Sequence, residues 1–140
     1  MFAKRKGTKA ELELLHKFWE NGFIAMRAPS SGVIKYPCPD LLVGNTIRKL
    51  AIECKSTGYR KRYVSSEQIN NLKKFSQVFG AEPWVAVRFN KTKTSKEGNK
   101  EGWYFISIDD LRETKGNNYV ITLELAQARG LLFEDIIRMQ

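Results

Sequence analysis

Three charged residues stand at the ends of two apolar segments in residues 38–56, which read CPDLLVGNTIRKLAIECKS. Asp40 opens the first segment, and Glu53 and Lys55 close the second. Because successive side chains of a strand alternate between faces, Glu53 and Lys55 share one face if the second segment is a strand. Pairing across Gly44 and Asn45 would bring Asp40 alongside Glu53. The spacing therefore predicts two neighbouring carboxylates with an ammonium beside them.

Two carboxylates this close repel each other, so one must be protonated unless a cation lies between them. A divalent cation resolves the conflict, and hard oxygen ligands without histidine or cysteine favour Mg²⁺ or Mn²⁺. Such an ion stabilises charge that develops on phosphorus and lowers the pKa of a bound water. Lys55 would orient that water or offset charge on the pentavalent phosphate.

An ordinary surface arrangement is the alternative for the same residues. Glu53 and Lys55 would form a salt bridge on a solvated edge strand, and Asp40 would be a turn residue after Pro39. Two observations favour the metal site instead: the charges lie at the ends of adjacent apolar segments, and the chain is basic, as a phosphate-binding protein should be.

The chain carries 24 lysine and arginine residues against 15 aspartate and glutamate residues, a formal net charge of +9. This excess favours a polyanionic partner, because each neutralised phosphate of a nucleic acid releases counterions. A generally basic, well-solvated surface is the alternative, and the clustering of the charges favours nucleic acid. The clustered candidates for DNA contact are Lys4, Arg5, Lys6, Lys9, Arg60, Lys61 and Arg62.

The composition gives little support to other chemistries. Two cysteines without a CxxC pair, and a single histidine, provide neither a disulfide framework nor a zinc site. No run approaches the roughly 18 consecutive apolar residues of a membrane helix, and no apolar stretch follows the basic N-terminus as in a signal peptide. We therefore expect a soluble, cytoplasmic protein without a membrane partner, folded as one domain over residues 1–140.

Apolar periodicity predicts the elements that must position these charges. In chain order they are a helix 8–22, a strand 23–29, the hairpin 38–56, a helix between Ser66 and Gly80, strands 83–90 and 102–108, a helical turn that begins at 109–110, a strand 119–123 and a helix 131–139. Thr8 can cap the first helix, and Gly80 ends the second. This order predicts an α/β fold with a mixed sheet, a parallel crossover through the second helix, and helices on its faces.

Pro39-Asp40, followed after twelve residues by Glu53-Cys54-Lys55, looks like the PD-(D/E)xK motif of restriction-endonuclease-like nucleases. Longer segments resemble one branch of that superfamily, the archaeal Holliday junction resolvases of the Hjc family. These segments are KRKGTKAE at 4–11, GFIAMRAPSSG at 22–32, PDLLV at 39–43, IECKS at 52–56 and FSQVFGAEPWVAVRF at 75–89. The resemblance implies a restriction-endonuclease-like mixed central β-sheet flanked by helices, and it extends in register over about the first two-thirds of the chain.

The resemblance also implies roles for particular residues. Asp40 and Glu53 match the metal-binding carboxylates of the family, the carbonyl of Cys54 matches a further ligand, and Lys55 matches the catalytic lysine. Glu11 matches an additional acidic residue that completes the site through metal-bound water. The metal would be Mg²⁺, with Mn²⁺ as a substitute.

Glu11 has a second explanation, because Thr8-x-x-Glu11 is a capping box at the predicted start of the first helix. Yet Glu11 also falls on the apolar stripe with Leu14, Leu15 and Phe18, which would direct it towards the sheet. The resemblance favours the site over the cap.

Two further residues near the predicted site, Ser31 and Arg27, match residues of the family. Ser31 matches a serine on a loop that contacts the cleaved phosphate, although Ser30 beside it is an equal candidate and turn formation alone explains both. Arg27 matches a basic residue near the active site and is suited to bidentate phosphate contact.

Phe75, Phe79 and Trp84 correspond to a region where family members form a two-fold dimer. A place in the intrachain core is the alternative for all three residues. For Phe75 this alternative is as well supported as the interface, because Phe75 has helical spacing with Leu72 and Phe79. A dimer fits the expected substrate, since a four-way junction has near two-fold symmetry and its resolution needs paired nicks.

The function that the resemblance implies is Mg²⁺-dependent resolution of four-way DNA junctions in recombination and repair, by a homodimeric crossover junction endodeoxyribonuclease. Replication or recombination proteins are the further partners that this activity implies. Two alternatives remain open: another PD-(D/E)xK repair or restriction nuclease, and a non-catalytic junction-binding module.

Overall fold

The computed structural model describes residues 2–28, 36–90 and 102–139, with backbone only for residues 2–6. Its elements are α1 (Phe2–Glu20), β1 (Ile24–Arg27), β2 (Leu41–Gly44), β3 (Lys49–Thr57), β4 (Lys61–Ser65), α2 (Ser66–Phe79), β5 (Glu82–Phe89), β6 (Trp103–Ser107), β7 (Arg112–Glu113), β8 (Asn118–Thr122), α3 (Leu123–Arg129), β9 (Leu131–Leu132) and α4 (Phe133–Arg138). A single 3-10 turn, Ile108–Asp110, separates β6 from β7. None of the described helices is long and apolar enough to cross a membrane.

The main sheet has the strand order β1-β2-β3-β5-β6-β9. β3 and β5 pair in parallel across the α2 crossover, whereas the other neighbours are antiparallel. The predicted mixed sheet with a parallel crossover is therefore confirmed. A second, smaller sheet with the order β4-β8-β7 was not predicted.

Helices cover both faces of the central strand β3, so its side chains are buried in both directions. Leu50 and Ile52 pack on the α1 side, in one hydrophobic cluster with Leu14 and Phe18. Ala51 packs on the opposite side, in a second cluster with residues of α2. The alternation of side chains along the strand thus divides the core into two layers.

Helix α1 begins earlier than predicted. Phe2 is its first residue, so Thr8 lies inside the helix and cannot be its N-cap. The start was missed because residues 3–9, AKRKGTK, carry no apolar periodicity. The capping-box explanation for Glu11 is therefore wrong.

Helix α2 ends at its cap, Gly80, as predicted and begins at Ser66, one residue before its predicted start. Ser65 caps it, accepting a hydrogen bond from the Gln68 backbone N–H, and the Gln68 side chain completes the capping box. At the other end Gly80 adopts φ 81°, a left-handed conformation that glycine accepts without steric cost.

The turn of the β2–β3 hairpin has four residues, 45–48, and not a two-residue connection at Gly44 and Asn45. Arg48 is buried at this turn and connects it to distant parts of the chain. Its guanidinium donates to both carboxylate oxygens of Glu82, at 2.8 and 2.9 Å. It also donates to the backbone carbonyls of Ile136 and Met139, at 2.6 and 2.8 Å.

Phe18 is the main anchor of α1 on the sheet. It is fully buried, and its ring contacts the rings of Phe23, Phe105 and Phe133 at centroid distances of 5.6, 6.1 and 5.0 Å. We expect Phe18→Ala to lower the free energy of unfolding by about 3 to 5 kcal/mol, because it leaves a cavity in the core.

Urea denaturation would measure this change, with Leu12→Ala as the control on the same helix. Leu12 is 39% exposed, so its truncation should cost about 0.5 kcal/mol or less. Equal losses for the two variants would contradict the anchoring role of Phe18.

Candidate active site

Asp40 and Glu53 lie opposite each other where the β2–β3 ladder ends. Leu41 pairs with Ile52 in antiparallel register, and one further step along both strands reaches Asp40 and Glu53. The backbone N–H of Cys54 donates to Asp40 Oδ2 at 2.8 Å. The Asp40 carbonyl accepts from the Ala28 N–H at 3.0 Å, which holds Asp40 from the other side. The predicted meeting of the two carboxylates is therefore observed.

Glu53 is buried on a central strand, with 8% of its surface exposed. Lys55 shares its face, as alternation predicts, and Lys55 Nζ lies 3.8 Å from Glu53 Oε1. The alternative of a salt bridge on a solvated edge strand is wrong, because β2 and β5 flank β3 on both sides.

Glu11 projects from α1 towards this end of the sheet and pairs with Arg27 of β1. Arg27 Nε donates to Glu11 Oε2 at 2.8 Å, and Arg27 Nη2 donates to Thr8 Oγ1 at 3.3 Å. Arg27 stands opposite Leu41 in the β1–β2 ladder, so the pair lies next to Asp40.

Burial dominates the electrostatics of the site. Burial, followed by the charge of Asp40, raises the pKa of Glu53 from 4.5 to about 8, although Lys55 acts in the opposite direction. Burial also raises the pKa of Glu11, while the hydrogen bond from Arg27 lowers it. Both residues are therefore acids that bind a proton more tightly than an exposed glutamate does.

The donor chemistry at this point fits a hard divalent cation. Among the described residues, no three His, Cys, Asp or Glu side chains form a group that could enclose a metal ion. The site instead offers two adjoining carboxylates, and Mg²⁺ commonly takes only one or two protein carboxylates together with waters and phosphate oxygens. The N–H and C=O of a strand residue point to the same side, so the Cys54 carbonyl faces the Asp40 side, as its N–H does.

One contact of the site was not predicted. Gln68, in the first turn of α2, donates from Nε2 to Glu53 Oε1 at 3.3 Å. The Ser-x-x-Gln pattern of residues 65–68 is visible in the sequence and predicts a capping box. Nothing local indicates that this box lies against a residue of another strand.

Several predicted contact residues lie outside the described part of the chain. Ser30 and Ser31 do so entirely, and Lys4, Arg5 and Lys6 have no described side chain.

The other candidates for DNA contact are exposed or partly exposed. Lys9 is exposed on α1, and Arg60, Lys61 and Arg62 are exposed around the start of β4. Arg60 pairs with Glu124 at 2.6 Å, and Lys61 Nζ lies over the ring of Tyr63.

The three residues predicted for a dimer interface differ in their surroundings. Phe75 and Phe79 stack on each other with ring centroids 5.4 Å apart, and Phe79 is 45% exposed. Trp84 is buried in the core cluster on the α1 side, and its Nε1 donates to Glu82. The surroundings of Trp84 match the core alternative, because a buried side chain offers a partner little surface, and its role at an interface stays a prediction.

Comparison with known proteins identifies the family. The sequence matches the family described as archaeal Holliday junction resolvase (Hjc) over residues 2–140. The chain belongs to the Hjc family. This match confirms the resemblance drawn from the motifs, and it extends beyond the first two-thirds of the chain to the C-terminal elements.

Hjc relatives are similar over most of their length. The crossover junction endodeoxyribonuclease Hjc of Archaeoglobus fulgidus is 35% identical over 138 residues, which cover 94% of this chain and 95% of that protein. The Hjc protein of Methanocaldococcus jannaschii is 34% identical, with 95% of this chain and 87% of that protein covered.

A solved Hjc structure has the same fold. Archaeoglobus fulgidus Hjc, a Holliday junction resolvase, superposes with a TM-score of 0.80 at 31% identity, over 94% of this chain and 99% of that one. This match confirms the predicted restriction-endonuclease-like fold.

The raised pKa of Glu53 predicts how the stability of the metal-free protein depends on pH. The folded state holds a proton on Glu53 up to a pKa of about 8, whereas the unfolded chain releases it near 4.5. This contribution to stability is complete below pH 4.5 and is lost as pH rises through about 8. Glu53→Gln should remove it, because glutamine does not titrate.

Urea midpoints measured with a chelator present, across this pH range, would test the prediction. As pH rises, wild type should lose stability relative to Glu53→Gln. A difference that does not change with pH would contradict it.

Proposed function

We propose that this chain is a structure-selective endonuclease that resolves four-way DNA junctions by paired, metal-dependent hydrolysis of phosphodiester bonds, acting in recombination and repair. One observation carries the proposal: Asp40 and Glu53 meet at the end of a buried hairpin with Lys55 on the same face. Membership of the Hjc family supports the junction as the substrate. The chain would act as a single nuclease domain, alongside replication or recombination proteins.

Asp40, Glu53 and the Cys54 carbonyl would hold the metal, with Glu11 contributing through water. We propose Mg²⁺, with Mn²⁺ as a substitute, because the side-chain donors are carboxylate oxygens. When bound, the ion lowers the pKa of an attacking water and neutralises charge on the phosphate.

Lys55 and Arg27 supply the positive charges of the site. Lys55 is largely buried beside Glu53, where an ammonium keeps its charge close to the reacting phosphate and orients the attacking water. Arg27 is held by Glu11, which fixes its guanidinium next to Asp40 and ready for a phosphate oxygen.

DNA would be bound through its backbone, because exposed basic side chains are suited to contacts with phosphates and not with base edges. Lys9 and the run 60–62 are the candidates with described side chains, and Lys4, Arg5, Lys6, Ser30 and Ser31 extend the same proposal. Ser31, or Ser30 beside it, would contact the cleaved phosphate.

The homodimer is supported by an exposed apolar groove on the α2 side of the sheet. Alternation along the edge strand β1 buries Ala25 against α1 and leaves Ile24 and Met26 exposed on the other side. Ile24, Met26 and Phe79 line this groove. Apolar side chains gathered in one exposed groove are typical of an interface, and a two-fold dimer would supply the two identical sites that paired nicks need.

Asp40→Asn should slow cleavage severely, because it removes the charge of one proposed metal ligand. Incubating wild type with labelled four-way junction, linear duplex and flap, with and without Mg²⁺, should give symmetric cuts in the junction alone. The variant should cut the junction about 10²-fold more slowly or worse, a loss typical of removing one preorganised electrostatic contact. Its affinity for the junction should stay at the wild-type level or above it.

Asp109→Asn is the control, since the same chemical change is made at an exposed position on the 3-10 turn. Nicking by Asp40→Asn at the wild-type rate would refute the site. Cleavage of duplex or flap by wild type would favour another PD-(D/E)xK nuclease, and tight binding without product would favour a non-catalytic binding module.

Phe79→Asp should convert the dimer to a monomer, because it places a charge in the apolar groove. Sedimentation equilibrium would measure the mass, and the junction assay should then give single nicks in place of paired cuts. Leu132→Asp is a matched control, since Leu132 is also 45% exposed but lies on β9, at the opposite edge of the sheet. A wild-type monomer both free and on DNA would refute the dimer.

A further inference from the structure

The first turn of α2 lies directly against the buried carboxylate of the candidate active site. Gln68 Nε2 donates to Glu53 Oε1 at 3.3 Å, and Lys55 Nζ approaches the same oxygen at 3.8 Å. Both contacts therefore fall on one oxygen of Glu53. Oε2 receives neither of them.

The helix cap fixes which end of the Gln68 amide faces Glu53. The Ser65 backbone N–H donates to Gln68 Oε1 at 3.3 Å, and the Gln68 N–H donates to Ser65 Oγ at 3.1 Å. A backbone N–H can only donate, so the amide oxygen must face Ser65. The amide nitrogen therefore faces Glu53 and donates to it. The contact of the amide oxygen with the Ser65 N–H determines this orientation.

Glutamine is the residue type that can perform both tasks at this position. A capping box has glutamate or glutamine at its last position. Glutamate would add another carboxylate beside Asp40 and Glu53, where like charges already repel. An amide accepts from the cap and donates to the carboxylate at the same time.

We propose that Gln68 is a positioning residue of the nuclease, which holds Oε1 of Glu53 so that Oε2 is presented together with Asp40 to a divalent cation. This inference rests on the metal site proposed above. Partners that orient a ligating side chain commonly affect metal affinity as strongly as some ligands do. Gln68 would in this way couple the docking of α2 to the geometry of the metal site.

Gln68→Met tests the inference, because methionine has a similar length and can neither accept from the cap nor donate to Glu53. Titration of the full chain with Mn²⁺, without DNA and followed by calorimetry, should give a dissociation constant about 10-fold or more above that of wild type. Binding of the four-way junction in a chelator should be unchanged, because Gln68 would not contact DNA.

Ser65→Ala separates the positioning role from the helix cap. This variant loses the hydroxyl that accepts from Gln68 but keeps the amide and its donor to Glu53. Both variants should lower the urea midpoint, whereas only Gln68→Met should weaken Mn²⁺ binding. Wild-type Mn²⁺ affinity in Gln68→Met, or an equal loss in Ser65→Ala, would overturn the inference.

The test also separates this inference from the proposed function. If wild type binds Mn²⁺ and Gln68→Met weakens that binding, the inference stands even when no junction is cut, and the proposed function alone fails. If Glu53→Gln leaves Mn²⁺ binding unchanged, the metal site fails and the inference with it.

Discussion

Backbone pairing holds together two carboxylates that repel each other. Asp40 and Glu53 meet because the β2–β3 ladder aligns them and the Cys54 N–H holds the Asp40 side chain. The ladder and the parallel pairing of β3 with β5 fix β3 between two neighbours, so Glu53 cannot turn towards solvent without disrupting the sheet. The folded protein therefore keeps an electrostatic conflict in place that a divalent cation can relieve.

Helices on both faces of the sheet contribute side chains to the candidate active site. Glu11 reaches it from α1, where Arg27 holds its carboxylate. Gln68 reaches it from α2, on the opposite face. Two helices on opposite faces of the sheet therefore contact the same cluster of charges. A shift of either helix would alter the geometry of that cluster.

Features encoded within a few residues were predictable from the sequence. The alternation that places Glu53 and Lys55 on one face, and the caps at Ser65 and Gly80, depend only on local geometry. Contacts between distant segments were not predictable in this way. The ladder of β4 with β8 joins residues about 60 apart in the chain. Trp84 was assigned to an interface through the family resemblance, and its sequence position alone does not show that it packs in the core on the α1 side.

The buried guanidinium of Arg48 determines when, during synthesis, the β2–β3 hairpin acquires all of its contacts. The hairpin that carries Asp40 and Glu53 is synthesised early. Arg48, in the turn of this hairpin, nevertheless donates to the carbonyls of Ile136 and Met139, which are synthesised late. A nascent chain that has not reached these residues leaves the Arg48 guanidinium without these two acceptors and without the segment that supplies them. Support for the hairpin is therefore completed only when residue 139 has left the ribosome, so an unfinished chain is a poorly assembled nuclease.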